Sequence, residues 1–89
     1  MNKSELVSLV AGELRTSRLG AARLVDTVFD TIQKELSEGQ SVTISGFGTF
    51  EVKPRKERVG RDPRTGEPIR IEAGRRVGFR VGRTLKQSL

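Results

Sequence analysis

Histidine, cysteine, tryptophan and tyrosine are all absent from this 89-residue chain. Without imidazole or thiol there is no ordinary general base, no thiolate nucleophile and no structural zinc site of the usual kind. Disulfides are impossible, which excludes a small stapled secreted domain and fits a reducing compartment. Long apolar runs are missing as well. The longest is Leu9-Val10-Ala11, whereas crossing a bilayer takes about 20 apolar residues. The opening Met1-Asn2-Lys3-Ser4-Glu5 leads into a charged amphipathic stretch, so no export signal is expected. Hydrophobic residues make up 34% of the chain and the only aromatics are four Phe. Such a chain buries a thin core alone, and with neither disulfide nor metal to help, a homodimer is expected.

What the sequence does have is positive charge, unevenly placed. The chain carries 17 basic and 11 acidic residues, a net of +6. Residues 1–52 hold five basic and seven acidic residues, while residues 53–83 hold eleven basic and four acidic, a net of +7. The first half reads as a folding unit and the second as a polyanion-binding surface. Most of the cations in that segment are arginine, whose planar, weakly hydrated fork of donors suits phosphates and narrow grooves.

Period and punctuation divide the chain further. Leu6, Val7, Leu9, Val10 and Leu14 fall on one face of a helix over residues 2–14, with Asn2 as cap and Glu5 three residues on. Thr16-Ser17 is a stop-and-start signal. Ser17 caps a second helix that runs to about Glu38 on the stripe Leu24, Val25, Val28, Phe29, Ile32 and Leu36, ending at Gly39. The apolar face of this helical hairpin must be covered by something else. Val42-Thr43-Ile44 is a short β-run, Gly46-Phe47-Gly48 a bend, and residues 49–53 alternate. Ile69, Ile71, Ala73, Val77, Phe79 and Val81 share one parity, which predicts a strand interrupted only by Arg75. Gly82 breaks it, and residues 83–89 can form one or two helical turns.

Between the strands, alternation fails. Residues 54–68 carry charges on both faces, and Val59 is the only large apolar side chain before the turn signal Gly60-Arg61-Asp62-Pro63-Arg64-Thr65-Gly66. A ribbon polar on both sides does not belong to a core. The simplest geometry is a long β-hairpin leaving the body as an arm, reaching roughly 26 Å at strand rise.

At these residues the chain resembles the bacterial HU and integration host factor family of histone-like DNA-binding proteins. Met1-Asn2-Lys3-Ser4-Glu5-Leu6 resembles its start and Gly46-Phe47-Gly48-Thr49-Phe50 its central bend. The tip Gly60–Gly66 and the close Phe79-Arg80-Val81-Gly82-Arg83-Thr84-Leu85-Lys86 match it too. The resemblance implies an α+β fold and a single domain over 1–89. Its parts are a helical dimerisation base at 1–40, a three-stranded antiparallel β-saddle from 41–53 and 69–82, a protruding β-ribbon arm at 54–68 and a short C-terminal helix at 83–89. Two such chains would form an intertwined dimer. Family members bend DNA from the minor groove, so that mechanism is an implication of the resemblance. Carried over, it makes Pro63 the wedge that intercalates between base pairs. Arg55, Arg58 and Arg61 would line the groove. Lys53, Arg80, Arg83, Lys86 and Lys3 would lie near phosphates, and Arg64, Arg75 and Arg76 complete the expected DNA-binding set. Phe47, Phe50 and Phe79, on the apolar parity or at the bend, are expected with Phe29 in a shared dimer core. Three departures stand out: Asp62 where relatives usually carry Asn, Arg75-Arg76-Val77 closer to integration host factor than to HU, and Gly78.

The expected function is therefore architectural: largely sequence-independent binding and bending of double-stranded DNA in the bacterial nucleoid, in the cytoplasm. No cofactor, metal or membrane is expected. Sequence-preferring bending of the integration-host-factor kind is the alternative, motivated by Arg75-Arg76, and RNA binding is a weaker one. Enzymatic activity is not expected, because Asp26, Asp30, Glu35 and Glu38 fall on solvated helix positions with no base or ligand set beside them.

Overall fold

The computed structural model describes residues 1–71 and 73–89; Glu72 lies outside the described residues, as does the side chain of Ile71. The order is α1 (Lys3–Leu14), α2 (Arg18–Ser37), β1 (Val42–Ile44), β2 (Gly48–Arg55), β3 (Arg58–Arg61), β4 (Pro68–Ile71), β5 (Gly74–Val81) and α3 (Arg83–Gln87). This is the expected α+β fold. The chain divides into two compact units, residues 1–35 and 36–89. The boundary between them falls inside α2.

In the helical unit, both predicted caps form. The Asn2 side chain accepts from the Glu5 backbone N–H at 2.9 Å, and Ser17 Oγ accepts from the Gly20 N–H at 3.0 Å, satisfying donors that open helix starts leave free. The buried core is small: Val7 of α1 against Ala21 and Val25 of α2, with Leu6, Val10, Ala11 and Ala22 packed around them. Alanines let the two helices approach closely, so only a narrow strip is covered. Of the stripe predicted on α2, Val25 is buried, while Leu24, Val28 and Phe29 remain exposed, Phe29 by half. Two helices cannot wrap a stripe that broad.

In the second unit β1, β2 and β5 form an antiparallel sheet in that order, and β3 with β4 forms a separate two-stranded ribbon. The expected single strand at 69–82 is two strands. Pro68–Ile71 pair with Arg58–Arg61, so Ile69 belongs to the arm ladder, not the saddle. The saddle ladder in turn extends past Lys53 to the pair Arg55↔Gly74. Hydrogen bonding explains the difference: charges on both faces cost an exposed two-stranded ladder little, so pairing continues where hydrophobic alternation has stopped.

Register decides which side chains share a face, because directly opposed residues point the same way. Phe50 opposes Phe79, Val52 opposes Val77, and Gly48 opposes Val81, which makes one face apolar. Phe79 is the hub of the aromatic group, with ring centroids 4.9 Å from Phe50 and 5.4 Å from Phe47, both tilted. Phe47 and Phe79 are nonetheless 46% and 41% exposed, so one chain does not bury them. The bend at Gly46-Phe47-Gly48 is tied to the C-terminal helix: Gly82 N–H donates to Phe47 O at 2.8 Å, and Leu85 N–H to Gly46 O at 3.1 Å. Among the described residues no helix is long and apolar enough to cross a membrane.

Candidate nucleic-acid interface

The opposite face of the saddle is charged. Thr49, Glu51, Lys53 and Arg55 alternate along β2, opposed by Arg80, Gly78, Arg76 and Gly74 of β5. The side-chain contact Thr43 Oγ1 to Thr49 Oγ1, at 3.3 Å, places Thr43 of β1 on the same face. Four of the expected cations, Lys53, Arg55, Arg76 and Arg80, thus stand together on one surface. Among the described residues it holds a single carboxylate. Glu51 sits 3.3 Å from the Arg80 guanidinium and 3.6 Å from the Lys53 ammonium, and its side chain is 22% exposed. Ion pairs open to solvent in this way contribute about 0–1 kcal/mol each, so Glu51 holds the two cations only weakly.

Where the saddle gives way to the arm, Pro54, Arg55, Lys56, Glu57, Arg58 and Arg76 line an open concavity. Beyond it, Arg58 and Arg61 are three residues apart on β3 and point to opposite faces of the ribbon. Val59, three-quarters exposed, opposes Arg70 on the face that Arg61 shares. Arg70 is held by Glu57 through two contacts of 2.7 and 2.8 Å. Lys56 and Arg70 are not among the residues the sequence singled out. Their positive charge on the arm was the available signal.

The tip is closed by its own hydrogen bonds. Asp62 N–H donates to Glu67 O at 2.8 Å, and Gly66 N–H donates to Asp62 O at 2.7 Å, with Gly66 at φ +73° where a side chain would be strained. The Asp62 carboxylate accepts from the Arg64 N–H at 2.8 Å, and Arg61 Nη1 donates to Gly66 O at 3.1 Å. Pro63 is thereby held exposed in a turn braced from both sides. The departure at Asp62 has a structural account. Its oxygen does what an Asn oxygen would do in an Asx turn, and the Arg64 guanidinium 3.9 Å away offsets its charge.

The remaining expected residues are placed differently. Arg83 and Lys86 lie three apart on α3, hence on neighbouring positions of one helix side. Lys3, in the helical unit, is ion-paired with Asp26 at 2.5 Å. The hydrogen bond to Asp26 and then its charge hold the Lys3 ammonium above the usual 10.5, with loss of water opposing and Asp30 adding in the same sense. A raised pKa means that the pair is present at neutral pH and is lost only as pH climbs through that higher value. Arg75 opposes Pro54 on the apolar face of the saddle, away from Arg76 and Arg80, and its Nη2 donates to Ser37 O at 3.2 Å. It does not share the cationic surface.

Residues 1–89 match the family described as bacterial DNA-binding protein. The chain belongs to that family. Its relatives there include HU of Xylella fastidiosa, 47% identical over the whole of this chain and 95% of the relative. HU-beta of Neisseria meningitidis is 44% identical, with both chains covered in full. Among solved structures, an Anabaena HU–DNA cocrystal structure superposes with a TM-score of 0.92 at 38% identity, covering 99% of this chain and 96% of that one. HU from Thermotoga maritima gives a TM-score of 0.69 at 27% identity, covering 99% and 97%. The helices, saddle and arm of this chain are therefore those of HU.

The tip geometry makes a prediction. Asp62→Asn keeps the oxygen that accepts from Arg64 and removes a negative charge, so it should leave amide exchange at Arg64 unchanged and tighten duplex binding. Asp62→Ala should speed that exchange several-fold, as loss of a local cap of about 1 kcal/mol would. Hydrogen exchange by NMR on the two variants, with a duplex titration of Asp62→Asn, checks both.

Proposed function

We propose that this protein is an architectural binder of double-stranded DNA that bends and compacts the duplex with little regard to sequence. It would work as a histone-like component of the bacterial nucleoid, in the cytoplasm. The observation that carries this is the segregation fixed by the β2–β5 register: Lys53, Arg55, Arg76 and Arg80 on one face, continuous in sequence with an arm whose tip holds Pro63 outward. Cations on a pleated surface about one side chain deep meet phosphates, not base edges, so affinity comes chiefly from counterion release. Among the described residues no helix presents a row of base-reading side chains. The name HU carried by its relatives and the DNA in the Anabaena complex support the same function. In this architecture Pro63, rigid, apolar and without an N–H, enters between base pairs from the minor groove. Unstacking costs a few kcal/mol, recovered through the contacts that a bent duplex allows.

The sequence-preferring alternative is not favoured. Arg75, which motivated it, is engaged at the end of α2, and the relatives above carry the name HU. RNA has no support among them. Family membership points to a DNA-binding architectural role and not to an enzyme.

The protein acts as a homodimer in this proposal. Each unit leaves large apolar side chains about half in water, Leu24, Val28 and Phe29 in the helical one and Phe47 and Phe79 in the other, and such exposed apolar surface marks a protein interface. A dimer that buries it should melt at a temperature that rises with protein concentration. Calorimetry over a hundredfold dilution tests this; a constant midpoint with a monomer mass in sedimentation refutes it.

Two measurements test the DNA function. Titrating salt against binding to intact and nicked duplexes of one sequence should give a steep linear fall of log K with log salt. The nicked duplex should bind more tightly, because it is already cheap to bend. Equal affinity for both would exclude a bending role. Pro63→Ala should retain most of the affinity while reducing the bend, read by fluorescence transfer across a single site. An unchanged bend angle removes the wedge.

A further inference from the structure

We propose that Arg75 is a positioning residue, a strap between β5 and the end of α2 that holds the root of the arm, and makes no phosphate contact. Its neighbourhood explains why a strap is needed there. Arg75 opposes Pro54, and the last pair of the ladder is Arg55↔Gly74. Proline contributes no N–H to that ladder, and glycine contributes no side chain to pack across it. Past this point the pairing stops, and Lys56 and Glu57 lie outside any strand before the ribbon resumes at Arg58. The saddle is weakest where the lever begins.

Arg75 crosses from this weak end to a strong one. Its Nη2 donates to the carbonyl of Ser37, the last residue of the 20-residue helix α2, at 3.2 Å. The final carbonyls of a helix lack intrahelical donors and carry its partial negative charge, so a guanidinium is favoured there. The backbone after the helix is shaped to admit it. Gly39 has φ +81°, and a Cβ at that position would stand 3.3 Å from Arg75 Nη1. Parity completes the assignment. Arg75 is on the apolar face, Arg76 on the cationic one, and adjacent arginines of identical charge therefore have different work.

The test compares Arg75→Gln, Arg75→Lys and Arg76→Ala in the intact protein. Arg76→Ala should lower the slope of log K against log salt by about one, the signature of a lost phosphate contact. Arg75→Gln should leave that slope unchanged. It should instead raise hydrogen exchange at residues 53, 55 and 74–76 about two- to fivefold, the range that a cation at a helix end is worth. It should also broaden the distribution of bend angles at saturating protein. Arg75→Lys, which keeps a cation near the same carbonyl, should recover most of the protection and the narrower bend. A slope lowered by about one in Arg75→Gln, or exchange and bend left as they were, overturns the strap. The inference rests on the DNA-binding function above only for its bend and slope arms. An unchanged slope in Arg76→Ala would count against the cationic face, while the exchange result would still decide the strap.

Discussion

Antiparallel pairing of β2 with β5, from Gly48↔Val81 to Arg55↔Gly74, is the constraint on which the rest depends. A pleated strand points successive side chains to opposite sides, and opposed residues share a side. Two eight-residue strands in this register convert a mixed sequence into two surfaces of different chemistry. One carries Phe50, Val52, Val77, Phe79 and Val81, and the other Lys53, Arg55, Arg76 and Arg80. A slip of one residue would bring cations to the apolar side and aromatics to the charged one. The Phe50–Phe79 ring contact at 4.9 Å favours the observed register through apolar packing. The opposite face contributes the weaker pairs of Glu51 with Lys53 and Arg80.

The arm depends on other forces. Between β3 and β4 the described residues bury almost nothing, and the ribbon is held by its ladder and by the double contact of Arg70 with Glu57. Its order is concentrated at the tip, where Asp62 accepts and donates within a turn of its own making. Such a ribbon is closed at its end and lightly held along its length, which the proposed binding of a bent duplex would use. The cationic residues along it lie on both ribbon faces.

The helical unit is marginal by itself. Val7, Ala21 and Val25 are its only buried hydrophobic residues, and a core of that size stabilises by a few kcal/mol before chain entropy opposes it. The remainder of the α2 stripe, Leu24, Val28 and Phe29, stays exposed. Within the saddle, apolar and cationic excess lie on opposite faces.

Much of this was legible in order along the chain. Helix starts at Asn2 and Ser17, the stop at Gly39, the bend at Gly46–Gly48 and the turn at Asp62–Gly66 are local features, set by capping chemistry and backbone preference within a few residues. The concentration of charge after residue 52 is likewise a property of composition. Site residues followed from resemblance and parity, and Lys53, Arg55, Arg76 and Arg80 do converge on one face. What required the folded chain was every relation between distant residues. Apolar alternation marked Ile69 as saddle, but backbone pairing with Gly60 assigns it to the arm, because a hydrogen-bonded ladder does not need an apolar face to continue. Arg75 and Arg76 are equivalent as letters. Only the register against Pro54 and Lys53, and the nearness of Ser37, 38 residues earlier, separates a cation that faces the polyanion surface from one that holds a helix end. Charge and local conformation are written residue by residue, whereas the direction a side chain faces is settled by the strand beside it.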